Sequence, residues 1–476
     1  MPLRPPSTDS TKALPRTSST PWASWAMVLG LIVVGCCGFG LTTQSLFPTA
    51  ILAHAPPLCD PHVRQSSGYL DVAPDTSYFY WYFEARHNHA TAPLVLWLNG
   101  GPVASSLAGL LLENGPCRLD LATLRLATNP HSWTEVANVI WLDQPANVGF
   151  SEGPSTAPAD IGPNVVVFLI QFLLRHPELR GRPLYIAGES YAGHYVPAIA
   201  AAILEAKHNQ QMMPSSAFLA TLSPVLNLRG ILIGNGLTNT KVQAQHELDM
   251  VFSNAYNIPL IPTDQLDLVK DLRSESVKLL DLCLIDATVC SNATLAFVAL
   301  QAQVSAYGNR NPFDIRQDCI GQACLMGLDS VTTFLNDPSV QASLGVHQRS
   351  KPYQATNPDV FVHFLADVAT NYGPFVESIL AANVPVLLYA GDADLRCNWR
   401  GVDAWPKELK WAGAHGYLAA PLAPYVVNGV EVGQIRTHSL LTFVRVFHAG
   451  HMVPRDQPAV ALELLTTFLS QRARLT

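Results

Sequence analysis

Charge is scarce in this chain. Only 14% of its 476 residues are charged, and 29 Lys and Arg stand against 36 Asp and Glu, a net charge of −7. The cations are scattered, so no basic patch is offered to a nucleic acid. An internal repeat and a heptad run are also missing, which excludes a solenoid and a long coiled coil. Among nine cysteines there is no paired C-x-x-C module, which argues against a zinc site. What the chain has in quantity is apolar: 49% of its residues are hydrophobic, enough for a large core. Length allows one to three domains, or one large α/β enzyme with an insertion.

The longest uncharged stretch lies near the start. A Ser/Thr/Pro-rich polar leader, residues 1–21, carries Arg4, Lys12 and Arg16. Residues 22–41, "WASWAMVLGLIVVGCCGFGL", then run without a charge, and about 20 apolar residues suffice to cross a bilayer. Basic residues before such a span place the remainder of the chain on the lumenal or extracellular side. A membrane signal-anchor and a cleaved signal peptide both fit. The linker 42–58 is too short for a folded pro-segment, so zymogen control by one is not expected.

A secretory route is consistent with the cysteines. Cys36 and Cys37 fall in the apolar run, while Cys283 with Cys290 and Cys319 with Cys324 are spaced for small disulfide loops. Cys59, Cys117 and Cys397 remain, and an odd count leaves at least one free thiol. Asn292 in "NAT" is the single N-x-S/T sequon and a glycosylation acceptor on that route.

From Cys59 onward the chain becomes globular. "SGYLDV" and "SYFYWYFEA" alternate like an antiparallel pair. "PLVLWLNGG", "ANVIWLDQP", "PLYIAGES", "RGILIGNG", "VPVLLYAGDAD" and "TFVRVFHAGHMVP" are short apolar runs, most of them closed by Gly, Asn or Asp. Helical stretches between several of them predict an α/β protein with a mostly parallel central sheet covered on both faces. Ligand chemistry in such sheets sits at the carboxyl ends of the strands. Residues 59–237 and 373–476 read as two parts of one core. Between them the strand rhythm stops, and 238–372 reads as an inserted cap holding the four closely spaced cysteines.

The chemistry centres on "LYIAGESYAGHYVP". Leu184–Ala187 reads as a buried strand and Tyr191–Lys207 as the helix after it. A serine on so sharp a turn has its hydroxyl pushed out above the sheet, the geometry of a nucleophile elbow. The spelling G-x-S-x-A-G departs from the strict G-x-S-x-G. Asp394 and His451 end two later runs. Taken singly, Asp392 or Asp394 could form a turn, and His448 or His451 could be a satisfied loop histidine. The order Ser190, Asp394, His451, each at a strand end, is that of α/β-hydrolases. In that scheme the histidine takes the serine proton and the aspartate holds the imidazole.

"WLNGGP", "DQPANVGFS", "AGESYAGHYVP", "GILIGNGLTN", "YAGDADLRCNW" and "FHAGHMVPRDQP" together resemble the serine carboxypeptidases, and the likeness runs from about residue 60 to 469. It implies an α/β-hydrolase fold with a disulfide-containing cap, and peptides with a free C-terminus as substrates. It also implies an acidic pH optimum and no metal or other cofactor. By residue it implies a Ser190, Asp394 and His451 triad and an oxyanion hole from the backbone N–H groups of Gly101 and Tyr191. Trp97, Asn99, Gly100, Glu113 and Glu189 would surround the substrate carboxylate, and Arg396, Cys397 and Met452 would line a specificity pocket. Glu189 beside the nucleophile cannot accept a carboxylate while ionised. If Glu113 and Glu189 share a proton, one of them can donate a hydrogen bond to the substrate C-terminus.

The chain departs from the family in "WLNGGPVASS", where Val103 replaces a glycine and Ala104 a cysteine. The resemblance implies that this cysteine's partner corresponds to Ala355, so both ends of one disulfide are missing together. A positive φ at position 103 would strain a β-branched residue and disturb Gly101. Arg396 stands where an apolar residue is usual and suggests acidic or polar penultimate residues. An acyltransferase on the same scaffold and a catalytically impaired binding protein are the competing functions. Glu113 and Glu189 favour the peptidase, because a transferase need not hold a carboxylate.

Overall fold

The structure is a computed structural model and describes residues 58–154, 156–212, 226–319, 324, 327–346 and 352–470. The leader, the apolar run 22–41 with Cys36 and Cys37, and the linker up to residue 57 lie outside the described residues.

Fourteen strands are described: β1 (Gln65–Ala73), β2 (Thr76–Phe83), β3 (Leu94–Leu98), β4 (Cys117–Leu119), β5 (Leu126–Thr128), β6 (Asn138–Leu142) and β7 (Pro183–Glu189). They continue with β8 (Asn227–Gly234), β9 (Arg310–Asn311), β10 (Asp314–Asp318), β11 (Val386–Gly391), β12 (Ala423–Val427), β13 (Val430–His438) and β14 (Leu441–Val446). Ten form one sheet in the order β1-β2-β6-β3-β7-β8-β11-β14-β13-β12. The six from β6 to β14 in that order pair in parallel. An antiparallel pair extends the sheet at each side. This is the α/β-hydrolase arrangement.

The apolar runs are continuous because the parallel strands are buried on both faces. Leu94, Leu96 and Leu98 of β3 enter one apolar core with the helices Pro158–Arg175 and Ala192–Met212. Val95 and Trp97 enter the other, under the helix Pro458–Leu469. Every residue of β2 is buried, since it lies inside the sheet and not at its edge. The β12–β13 hairpin was not among the expected strands. Its turn, Asn428–Gly429, has φ of 52° and 80°, the two positive values of a type I′ hairpin turn.

Among the described residues, 238–372 adds no strand to the large sheet. It contributes the helical pair Leu266–Cys283 and Cys290–Ser305, joined by a Cys283–Cys290 disulfide, and the β9–β10 ribbon with Cys319–Cys324 beyond it. Asn292 is exposed near the start of the second helix. Cys59 and Cys117 form a third disulfide, between the segment before β1 and β4, which leaves Cys397, buried, as the free thiol among the described residues.

Candidate active site

β7 ends at Glu189, and Ser190 turns the chain with φ of 64° before the helix Ala192–Met212 begins. A positive φ on serine is strained, and hydrogen bonds hold it. Ser190 N–H donates to Gly234 C=O at 3.0 Å, and the Ser190 carbonyl accepts from Gly193 and Leu237, each at 2.9 Å. Ser190 is partly exposed between buried neighbours. The end of β3 lies against this turn: a Cβ on Gly100 would stand 2.3 Å from the Tyr191 nitrogen.

Asp394 and His451 follow β11 and β14 and are both buried. Their Oδ2 and Nδ1 stand 2.7 Å apart. With Nδ1–H donating to the carboxylate, Nε2 is left to accept a proton. Asp394 also accepts from Arg396 N–H at 2.9 Å and Cys397 N–H at 3.2 Å. A further donor is the Asn235 side-chain amide, 2.8 Å from Oδ2. Asn235 stands just past β8 and was not among the expected site residues; its signal is the "GNG" closing that strand. His451 N–H donates to the Phe313 carbonyl at 2.7 Å, and the Phe313 ring meets the imidazole edge-on at 5.1 Å. Asp392 faces elsewhere, accepting from Tyr256 O–H, His448 N–H and Arg445. His448 is exposed.

The expected carboxylate-binding residues converge. Trp97 Nε1 donates to Asn99 Oδ1 at 2.8 Å. Asn99 Nδ2 donates to Glu113 Oε1 at 3.1 Å and Glu189 Oε1 at 3.2 Å, which uses both amide hydrogens. Glu113 comes from a π-helical turn, Leu110–Asn114, a feature common at functional sites. Gly109 lets that turn close: a Cβ there would fall 2.3 Å from Asn99 Oδ1 and 2.4 Å from Trp97 Nε1. The second oxygens of Glu113 and Glu189 are buried with no hydrogen bond from the donors present. Burial pushes both carboxyls above the ordinary range, and the charge of Glu113 raises Glu189 further. Both shifts favour the protonated form, and a protonated carboxyl can donate to an anion.

Gly101 carries a positive φ of 111°, whereas Val103 is not among the positive-φ residues. The strain expected at Val103 is absent. Its side chain packs in the core, and its carbonyl accepts from Asn357 N–H at 3.2 Å. Ala104 bridges Thr356, and Ser105 N–H donates to the Ala355 carbonyl at 2.9 Å. The residue directly opposite Ala104 is thus Thr356 and not the expected Ala355, whose side chain falls on the other face of the pair. Asp143 anchors the loop by accepting from Ser105 Oγ at 2.5 Å and Ser106 N–H at 3.1 Å. Burial lifts its carboxyl to about 6.

Arg396 is partly buried. Its guanidinium lies 5.5 Å from the Phe313 ring and donates to Gln301 Oε1 at 3.1 Å. Buried Glu247 lies within electrostatic reach, its carboxyl raised by desolvation to about 8 with the Arg396 charge opposing the rise. Cys397 is buried, with its thiol pushed up by desolvation, and Met452 is partly buried directly after His451.

Residues 56–471 match the family model described as serine carboxypeptidase. The chain is 36% identical to carboxypeptidase Y of Komagataella phaffii over 415 residues, 86% of this chain and 76% of that protein. It is also 36% identical to the vacuolar serine-type carboxypeptidase ATG42 of Saccharomyces cerevisiae over 422 residues, 86% of this chain and 79% of that one. Carboxypeptidase Y of Schizosaccharomyces pombe is again 36% identical over 86% of this chain, but the match spans only 41% of that longer protein. Among solved structures, Kex1(delta)p, a prohormone-processing carboxypeptidase from Saccharomyces cerevisiae, superposes with a TM-score of 0.76 at 23% identity. That match covers 87% of this chain and 94% of Kex1(delta)p, a likeness of fold.

Proposed function

Since this chain belongs to the serine carboxypeptidase family, we propose that it releases C-terminal amino acids from peptides through an acyl-enzyme on Ser190. Ser190 Oγ attacks the last peptide carbonyl while His451 Nε2 takes its proton, and Asp394 holds the imidazole and balances its charge. The N–H groups of Gly101 and Tyr191 receive the oxyanion. His451 then protonates the departing amino acid, and water releases the shortened peptide by the reverse proton path. Asn99, Gly100 and the proton shared by Glu113 and Glu189 bind the substrate's terminal carboxylate, with Trp97 orienting Asn99.

One observation supports an exopeptidase above any other acyl transfer: the buried carboxyl pair that Asn99 holds beside the nucleophile. The test compares an N-blocked dipeptide with its C-terminal amide between pH 4 and 8, with Ser190→Ala as control. Strong preference for the free acid at low pH, abolished in the control, is expected. Equal turnover of acid and amide would remove the carboxylate role of the pair.

Arg396, Cys397 and Met452 line the pocket for the penultimate side chain, and the Arg396 cation favours acidic or polar residues there. A substrate panel in which apolar penultimate residues are still preferred would remove that assignment. The enzyme acts on the lumenal or extracellular side of the secretory pathway, or in a vacuole-like compartment. Residues 22–41 hold it to the membrane where they remain uncleaved, and Asn292 carries a glycan.

A further inference from the structure

Both contributors to the oxyanion hole bear on one stretch of chain, residues 353–372, where the insertion returns to the core. Its first part pairs with the Gly101 loop through the Ala104–Thr356 bridge and the bonds Ser105–Ala355 and Asn357–Val103. Its second part reaches the nucleophile turn by the packing of Phe364 on the Tyr191 ring and by the hydrogen bonds of Asp367. Asp367 Oδ2 accepts the phenol O–H of Tyr191, and also His194 Nδ1 at 3.1 Å. Asp367 Oδ1 accepts Tyr372 O–H at 2.9 Å. Tyr372 is itself fixed by its N–H on the Thr238 carbonyl at 2.8 Å, and its ring stacks on His194 at 4.1 Å. Burial works to raise the Asp367 carboxyl, but the three donors more than offset it and hold the group below the usual range.

Tyr191 stands between the strained Ser190 and the first residue of the helix Ala192–Met212. Its ring is enclosed by His194 at 4.4 Å, Tyr195 at 5.1 Å and Phe364 at 5.9 Å. Tyr195 O–H in turn donates to the Pro102 carbonyl, next to Gly101. With the ring enclosed and the phenol bound to an anion, rotation about the Tyr191 backbone is restricted at both ends of the residue. The aim of its N–H is set by that restraint. We infer that Asp367 is a positioning residue for the oxyanion hole: it grips the Tyr191 phenol and so ties the returning insertion segment to transition-state stabilisation. The inference rests on the Ser190 acyl-enzyme reading above.

The variants are Asp367→Asn and Tyr191→Phe, singly and together, with kcat expressed per active site titrated by an organophosphonate that labels Ser190. Removing one oxyanion donor outright costs about 10²–10³ in kcat, and a misaimed donor should cost about 10-fold or more. KM for the N-blocked dipeptide should stay within about twofold. Affinity for a peptide aldehyde, which forms a tetrahedral adduct, should fall in step with kcat. The double variant should be no worse than the worse of the two single ones, because Tyr191→Phe deletes a bond whose anionic partner Asp367→Asn has already taken away.

A lowered Tm with unchanged kcat per titrated site would make Asp367 merely structural and overturn the inference. So would a raised KM at unchanged kcat. If Asp367→Asn fails to fold, Tyr191→Phe decides by the same criteria: it keeps the ring and loses only the bond to Asp367. A wild-type enzyme without Ser190-dependent turnover would overturn the carboxypeptidase reading itself, and this inference with it.

Discussion

His451 Nδ1 and Asp394 Oδ2 stand 2.7 Å apart, and the Asn235 amide reaches the same oxygen at 2.8 Å. With Cys397 N–H on this oxygen as well, at 3.2 Å, three donors hold the carboxylate and through it the imidazole. Asn235 is anchored in turn, its own Oδ1 accepting Gly391 N–H at 3.2 Å. A hydrogen bond to a charged group contributes about 1.5–3 kcal/mol. Asn235→Ala should therefore lower kcat about 10- to 100-fold while leaving KM near the wild-type value. Steady-state kinetics on an N-blocked dipeptide check this; an unchanged kcat would make Asn235 a bystander.

Glu113 and Glu189 give the enzyme a pH dependence whose sign is set by burial. Both carboxyls lie above their unfolded values, desolvation being the first cause for each. The protonated pair is therefore favoured by folding. Its contribution to stability is complete below the ordinary carboxyl range and is lost as pH rises through the raised values. On the proposed role of the pair, binding of a substrate carboxylate depends on the same proton and is lost in the same direction. KM for the free acid should rise from pH 4 to 8 while that for the amide stays flat. Glu113→Gln, a donor that does not titrate, should flatten the free-acid curve and the fall in Tm over that range.

Gly109→Ala tests the carboxylate site from behind. Its methyl would meet Asn99 Oδ1 and Trp97 Nε1 well inside contact distance. Displacing Asn99 should raise KM for the free acid by about 10-fold or more, since an unmet buried polar group costs about 1–3 kcal/mol. Hydrolysis of the C-terminal amide should change less. A parallel loss on both substrates would mean that the substitution disturbs the whole site.

Restoring the missing cross-link should stabilise the oxyanion loop. Ala104 and Thr356 stand directly opposite each other as a non-hydrogen-bonded antiparallel pair, the pairing in which side chains lie closest. The double substitution Ala104→Cys, Thr356→Cys should close a disulfide worth about 2–4 kcal/mol. Thermal unfolding with and without reductant reads the gain as a higher Tm only in the oxidised form. Equal Tm values with the bond formed would show that backbone pairing already holds the loop fully.

How much of this was legible in the sequence varies with the range of the information. The parallel strands announce themselves as continuous apolar runs because each is covered on both faces. Their carboxyl ends show as Gly, Asn and Asp because sharp turns need those residues. Ser190, Asp394 and His451 sit at such ends, so their order along the chain could be read directly. The β12–β13 hairpin carried an equally local signal in Asn428–Gly429.

Other features depend on contacts between residues far apart in the chain. Asn235 meets Asp394, Asp367 meets Tyr191, and Cys59 meets Cys117 only after the sheet has assembled. Val103 shows the same division. Its type is local and suggested strain, but its φ is set by pairing with the returning segment, and the positive φ falls on Gly101 instead. The sequence by itself determined the strands, the turns and the order of the reactive side chains, because those depend on neighbours along the chain. Only the tertiary structure decided which donor reaches which oxygen, because hydrogen bonding is set by ångström-scale distances that sequence spacing does not constrain.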